Sequence, residues 1–266
     1  MKKNSLITVV IIILLGLGIA TYFYWQYAQP KPEPVSVPVP PPPPAPSPAV
    51  QQVIEAPPEQ PALPKLSESD EFMLGILAGL VGNKALMNLF YTEHIIYKIV
   101  ATIDNLPRKH LPLSMMPVKR VHGTFITEGP ENDKTISPKN AARYSAYVRI
   151  AKLIDAQKLG DVYVRLYPLF QQAYEELGYP KEYFNDRLLV VIDHLLAAPD
   201  LKEPVKLVQP NVFYLYADPD LEARSAGQKI LMRMGSKNEA KIKAKLREIK
   251  RQVMLHMREK KVDSTK

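Results

Sequence analysis

Proline decides the layout of this chain. Of its 26 prolines, 15 fall between Pro30 and Pro64. A proline fixes φ and removes a backbone donor, so helix and sheet are both blocked and polyproline II remains, at ~3.1 Å per residue. Residues 28–62 therefore read as a disordered, proline-rich spacer with a reach on the order of 100 Å. A ligand for an SH3-type domain is the competing reading of such a tract; placement outside the cytoplasm favours the spacer.

That placement comes from what precedes the spacer. Residues 1–5 carry Lys2 and Lys3, and residues 6–27 carry no charge. About 20 apolar residues at 1.5 Å each cover a hydrocarbon core of ~30 Å. Tyr22, Tyr24, Trp25 and Tyr27 cluster at the far end, where amphipathic rings favour the headgroup level, and the lysines favour a cytoplasmic N-terminus. The expectation is a signal anchor over 6–27 that crosses a membrane once, with a cytoplasmic N-terminus and everything after it outside the cytoplasmic face. Cleavage of a secretory signal after Gly18-Ile-Ala20 is the rival.

The remainder, 63–258, is long and apolar enough for one core, and 259–266 reads as a disordered tail. The chain contains no cysteine, which excludes disulfides, thiolate catalysis, Cys-ligated zinc and lipid attachment at cysteine. Its formal charge of +8 is local: from Lys229 onward there are 13 Lys and Arg against 4 Asp and Glu, and the rest is balanced. No nucleic-acid partner is expected from so confined a surplus.

Within 63–258 the expected architecture is mostly α-helical with a minor β element. Ser69-Asp-Glu opens one helix, and Asn83 to Asn105 carries apolar residues at helical spacing throughout. Gly123 to Glu128 is strand-like. Ser137-Pro138 begins a helix through Ile154, and another runs from about Asp161 to a stop at Gly178. Two short strands over 205–208 and 212–216 precede a helix from Asp218 to Gly235. Ser236 to Glu239 forms a capping box for a last helix with Ile242, Leu246, Ile249, Val253 and Met257 on one face. Lys241, Lys245, Lys250 and Arg251 are left to form a basic surface on that helix. An envelope protein, anionic lipid or cell-wall polymer is the partner such a surface suits.

Asp104-Asn-Leu106, Asn140 with Arg143-Tyr144, Ala173 to Pro180, Tyr183 to Leu188, Val191 to Leu196 and Gln228-Lys with Arg233-Met-Gly235 together resemble the bacterial domain-of-unknown-function family 3014. The resemblance extends from Leu63 to Met257. It implies a bacterial envelope origin, which would make the membrane crossed by 6–27 a bacterial inner membrane and place the domain in the periplasm, and it implies no catalytic residue.

Phe184 to Leu196 sets Asp186, Arg187, Asp193 and His194 into an apolar helix. Phe184, Leu188, Val191 and Leu195 share one stripe; the two acids stack opposite it and Arg187 and His194 on its flank. Each polar pair is seven residues apart, ~10.5 Å along the axis, which is wide for a shared metal or proton. The two readings are polar fastenings to neighbouring helices, and a ligand or partner pocket built from Arg143, Tyr144, Tyr174, Asp186, Arg187 and His194. Asp218-Pro-Asp-Leu-Glu222 reads as a helix cap before a metal cluster. No Walker, zinc-protease, nucleophile-elbow or dinucleotide motif occurs, and no cofactor or metal is called for. The functional expectation is an interaction or scaffold module of the cell envelope, with a ligand-binding protein or unfamiliar enzyme using Asp186, Arg187 and His194 as the alternative.

Overall fold

The computed structural model describes residues 62–201 and 204–263, with side chains through Met257. The expected anchor over 6–27 and spacer over 28–62 lie outside the described residues, apart from Ala62. Among the described residues no helix is long and apolar enough to cross a membrane.

Ten α-helices, two single-turn 3-10 helices (Leu66–Glu68 and Leu113–Met115) and two small hairpins lie in the described region. In chain order the α-helices and strands are α1 (Asp70–Val81), α2 (Lys84–Met87), α3 (Ile95–Asn105), β1 (Thr127–Glu128), β2 (Thr135–Ile136), α4 (Asn140–Arg143), α5 (Ser145–Leu153), α6 (Ala156–Glu176), α7 (Phe184–Leu196), β3 (Leu207–Val208), β4 (Leu215–Tyr216), α8 (Pro219–Glu222), α9 (Ala226–Arg233) and α10 (Ser236–Asp263). The expected fold, mostly helical with a minor β element, is what forms.

The long helix α6 is the axis of the core. Its buried Tyr163, Leu166, Phe170, Ala173 and Tyr174 recur every three or four residues, so they form one stripe. Rings carry the stripe on into α7 and the loop before it: Tyr163 stacks on Phe170 at 5.5 Å within α6, Phe170 on Phe184 of α7 at 5.8 Å, and Tyr174 on Tyr179 of the loop at 4.6 Å. Offset ring pairs of this kind add to the burial of large apolar area. On the far side, Leu246, Ile249, Val253 and Met257 of α10 pack into the same core, as their spacing foretells.

The hairpins are joined edge to edge. β1 and β2 pair antiparallel through Thr127 with Ile136, and β3 and β4 through Leu207 with Tyr216. Ile136 N–H donates to Val205 O and Leu207 N–H to Lys134 O, which binds the second hairpin to the first. Val205, Leu207, Tyr216 and Met232 close a satellite core beneath them.

Several sequence expectations are corrected. The single helix over 83–105 is interrupted from Asn88 to His94, because Tyr91 N–H and Leu89 O pair instead with Pro117 O and Lys119 N–H. The chain re-enters helix at His94, whose φ of 53° is left-handed. Asp70 makes that entry possible: its carboxylate accepts His94 N–H at 2.7 Å and Ile95 N–H at 2.9 Å. The acid expected to open α1 thus caps α3 as well.

The helix expected over 138–154 divides at Tyr144, and that over 218–235 divides at Ala223 to Ser225. Ser225 Oγ there accepts Gln228 N–H at 3.2 Å and starts α9 afresh. α6 begins at Ala156, ahead of the expected Asp161, because Asp155 Oδ1 accepts Lys158 N–H at 2.9 Å. The expected capping box is replaced: Gly235 O receives Asn238 N–H and Glu239 N–H, while the buried Glu239 carboxylate lies 2.7 Å from Lys243 Nζ. α10 also continues to Asp263, past the boundary expected at residue 258.

Candidate functional site

The polar centre of the domain is Asp104, next to last in α3 and only 2% exposed. A carboxylate at a helix C-terminus faces the negative end of the dipole, so burial there demands cations. Two arrive. Arg187 of α7 donates from Nε to Asp104 Oδ1 at 2.9 Å and from Nη2 to the Asp104 carbonyl at 2.7 Å. Arg108, one turn on, donates to Asp104 Oδ2 at 2.7 Å and to Tyr179 Oη at 2.9 Å. The Asp104 charge raises the Arg108 pKa, and the exposed guanidinium stays charged.

The chain of contacts runs on through rings. Tyr179 stacks on Tyr174, whose hydroxyl donates to Glu182 Oε2 at 3.1 Å. Burial pushes the Tyr174 hydroxyl well up, and the Glu182 hydrogen bond adds to it. A phenol so held is a donor and not a base.

His194 ends the same face of α7. Its Nε2 lies 2.8 Å from Ser225 Oγ, and its carbonyl accepts from Gln228 Nε2 at 2.9 Å. That separation is what a nucleophile and its base require. Ser225 is only 6% exposed, however, and its oxygen already accepts the Gln228 N–H at the head of α9. The pair is a joint between α7 and α9. Burial first, then the charges of Arg187 and Arg224, lowers the His194 pKa, which keeps the ring neutral near pH 7.

The six expected pocket residues do not converge. Arg143 donates to His122 O at 3.1 Å, to Gly123 O at 2.8 Å and to Asn140 Oδ1 at 3.0 Å, so it pins the loop before β1. Tyr144 packs beside Val191 and Leu195 in a separate cluster. Asp186 is exposed, with its pKa raised by desolvation. Tyr174 and Arg187 share the Asp104 network, and His194 stands at Ser225. Sequence reasoning missed Asp104 and Arg108 as members, although a buried acid followed four residues later by Arg is the local signal that could have found them.

The expected basic surface divides likewise. Lys241 and Arg251 are exposed. Lys245 donates to Ile154 O at 3.1 Å and Glu248 Oε2 at 2.6 Å, and Lys250 spans both oxygens of Asp193 at 2.5 and 2.7 Å. Among the described residues no group of three or more His, Asp or Glu is placed to hold a metal.

No curated protein and no solved structure matches the chain. A family model described as a protein of unknown function (DUF3014) matches residues 95–250, from the start of α3 into α10, and therefore contains Asp104, Arg108, Tyr179, Arg187 and His194. The chain belongs to that family.

Proposed function

We propose that the chain is an interaction or scaffold module of the bacterial cell envelope, held at the inner membrane by residues 6–27, spaced from it by 28–62 and working in the periplasm through its helical domain. The observation that carries this reading is the use of Arg187 and His194. These are the residues of α7 best suited by type to handle a ligand, and they are taken up by Asp104 and Ser225. Contact then falls to the surface. At the tip between β3 and β4, Val212 and Phe213 are 79% and 78% exposed, beside a half-exposed Val208. Adjacent exposed apolar side chains suit a protein partner. Lys241 and Arg251 supply a second, basic contact for an anionic lipid surface, wall polymer or acidic protein.

The test uses the full chain in a bacterial host. A reporter active only in the periplasm is fused after Lys266, and a photo-crosslinking amino acid replaces Phe213 or, as comparison, the exposed Leu153. An active reporter with discrete adducts at 213 and none at 153 supports the reading. A silent reporter, or adducts equal at both positions, overturns it.

A further inference from the structure

Helices α1, α3, α6, α7 and α10 line a partly open cavity of about 290 Å³. Leu77, Ile103, Leu159, Phe170, Val191 and Ile249 are among its walls, one or more from each helix, and no polar atom faces it. Tyr163 lines it too, but its hydroxyl is turned to Asn185 Oδ1.

Protein interiors hold few voids larger than a water molecule, and a void this size leaves its lining without contact partners. Water is a poor occupant, because a buried water needs two to four polar partners and this wall has none. A helix, ~10 Å across with its side chains, is too wide. A cavity of ~150 Å³ takes up the six carbons of benzene, so this one has room for roughly twelve. The fitting occupant is a single unbranched hydrocarbon chain.

The outer surface of one wall has the same character. α1 forms one wall, and from Phe72 to Val81 it carries no charged or hydrogen-bonding side chain, with Gly75, Ala78 and Gly79 facing outward. A helix apolar on every side gives an alkyl chain no polar barrier to cross. We infer that this cavity is a binding site for the alkyl chain of a fatty acid or phospholipid, the headgroup remaining outside. Access to membrane lipid rests on the reading of residues 6–27 as a membrane anchor.

The full chain in lipid nanodiscs is irradiated with a fatty acid carrying a diazirine at its last carbon, or with a phosphatidylglycerol so labelled, and the adducts are mapped by peptide mass spectrometry. Adducts are expected in peptides spanning 95–106, 156–163 and 246–253; the probe that gives them identifies the source of the chain. Val191→Phe and Ile103→Phe, which fill the cavity from two different helices, are each expected to abolish those adducts while leaving any on 6–27 unchanged. Wild-type adducts confined to 6–27 or to the β3–β4 tip overturn the site, as do cavity-peptide adducts that persist in a variant with unaltered circular dichroism. Cavity adducts without any on 6–27 instead overturn the membrane anchor and leave the site standing.

Discussion

Arg187 and Asp104 are 83 residues apart in sequence and joined by two hydrogen bonds, one to the carboxylate at 2.9 Å and one to the Asp104 carbonyl at 2.7 Å. A single guanidinium therefore neutralises a buried acid and also satisfies one of the carbonyls that α3 leaves without a helical partner at its C-terminus. Arg can do both because its donors are held in a planar fork.

Removing it leaves the buried carboxylate with Arg108 and the Tyr179 hydroxyl, both on Oδ2, and leaves Oδ1 without its cation. Breaking a buried pair in this way costs about 3–5 kcal/mol. At ~2–4 °C per kcal/mol for a domain of this size, Arg187→Ala should lower the melting temperature by roughly 6 °C or more in a thermal circular-dichroism scan. Arg187→Lys should recover only part of the loss, since a point charge cannot serve both acceptors. An unchanged melting temperature in Arg187→Ala would place the network's importance outside stability.

Gly227 is where α9 meets the end of α3. Its N–H donates to Leu106 O at 2.9 Å, and a Cβ built there would sit 2.6 Å from Leu195 Cδ2 and 2.9 Å from Leu106 O. Helix propensity alone favours Gly227→Ala by up to ~1 kcal/mol. Backbone cannot yield as a flexible side chain does, so steric conflict outweighs propensity and the variant should melt lower than wild type. A variant that melts higher would show that α9 can shift away from α3.

His194 gives the domain a predicted pH response. Its folded pKa is lowered from the usual 6.5, so between 6.5 and that lower value the unfolded chain binds more protons than the folded one. The stability it contributes is complete above 6.5 and is lost as pH falls through that window. Melting temperature should therefore decline on acidification from about pH 7, and His194→Gln, which cannot titrate but can still bond Ser225, should flatten the decline. An equal decline in both would assign the response to another group.

Periodicity and caps made much of this fold legible. The stripe Leu246, Ile249, Val253 and Met257 meets the core because the 3.6-residue period alone determines which face it lies on. The same signal failed at Leu89 and Phe90, which keep helical spacing yet pair with residues 117–119; apolar period cannot distinguish a buried turn from a buried helix. Arg187 and His194 were readable as polar fastenings from their apolar surroundings. Their partners were not, because Asp104 and Ser225 lie far away in sequence and hydrogen bonds across such separations leave no repeat. Arg143 and Tyr144 looked like companions of Arg187 for the same reason: shared polarity carries no distance information.

The basic side of α10 should act as two pairs and not as one patch. Lys245 and Lys250 bond to Ile154 O, Glu248 and Asp193, so they belong to the packing of α10 against α5 and α7. Lys241 and Arg251 are exposed and free to meet an outside anion. With a Debye length of ~8 Å at physiological ionic strength, attraction from exposed charges is screened steeply by salt. Replacing Lys241 and Arg251 together by Gln should weaken low-salt association of the full chain with anionic vesicles, relative to neutral ones, and leave the unfolding free energy within about 0.5 kcal/mol of wild type. Replacing Lys245 and Lys250 should do the reverse, costing up to ~1 kcal/mol for each partly exposed ion pair while sparing most of the vesicle binding. Vesicle co-sedimentation and thermal unfolding read the two effects separately. If all four substitutions weaken binding equally, the ion pairs open at the membrane surface and the division argued from their geometry fails.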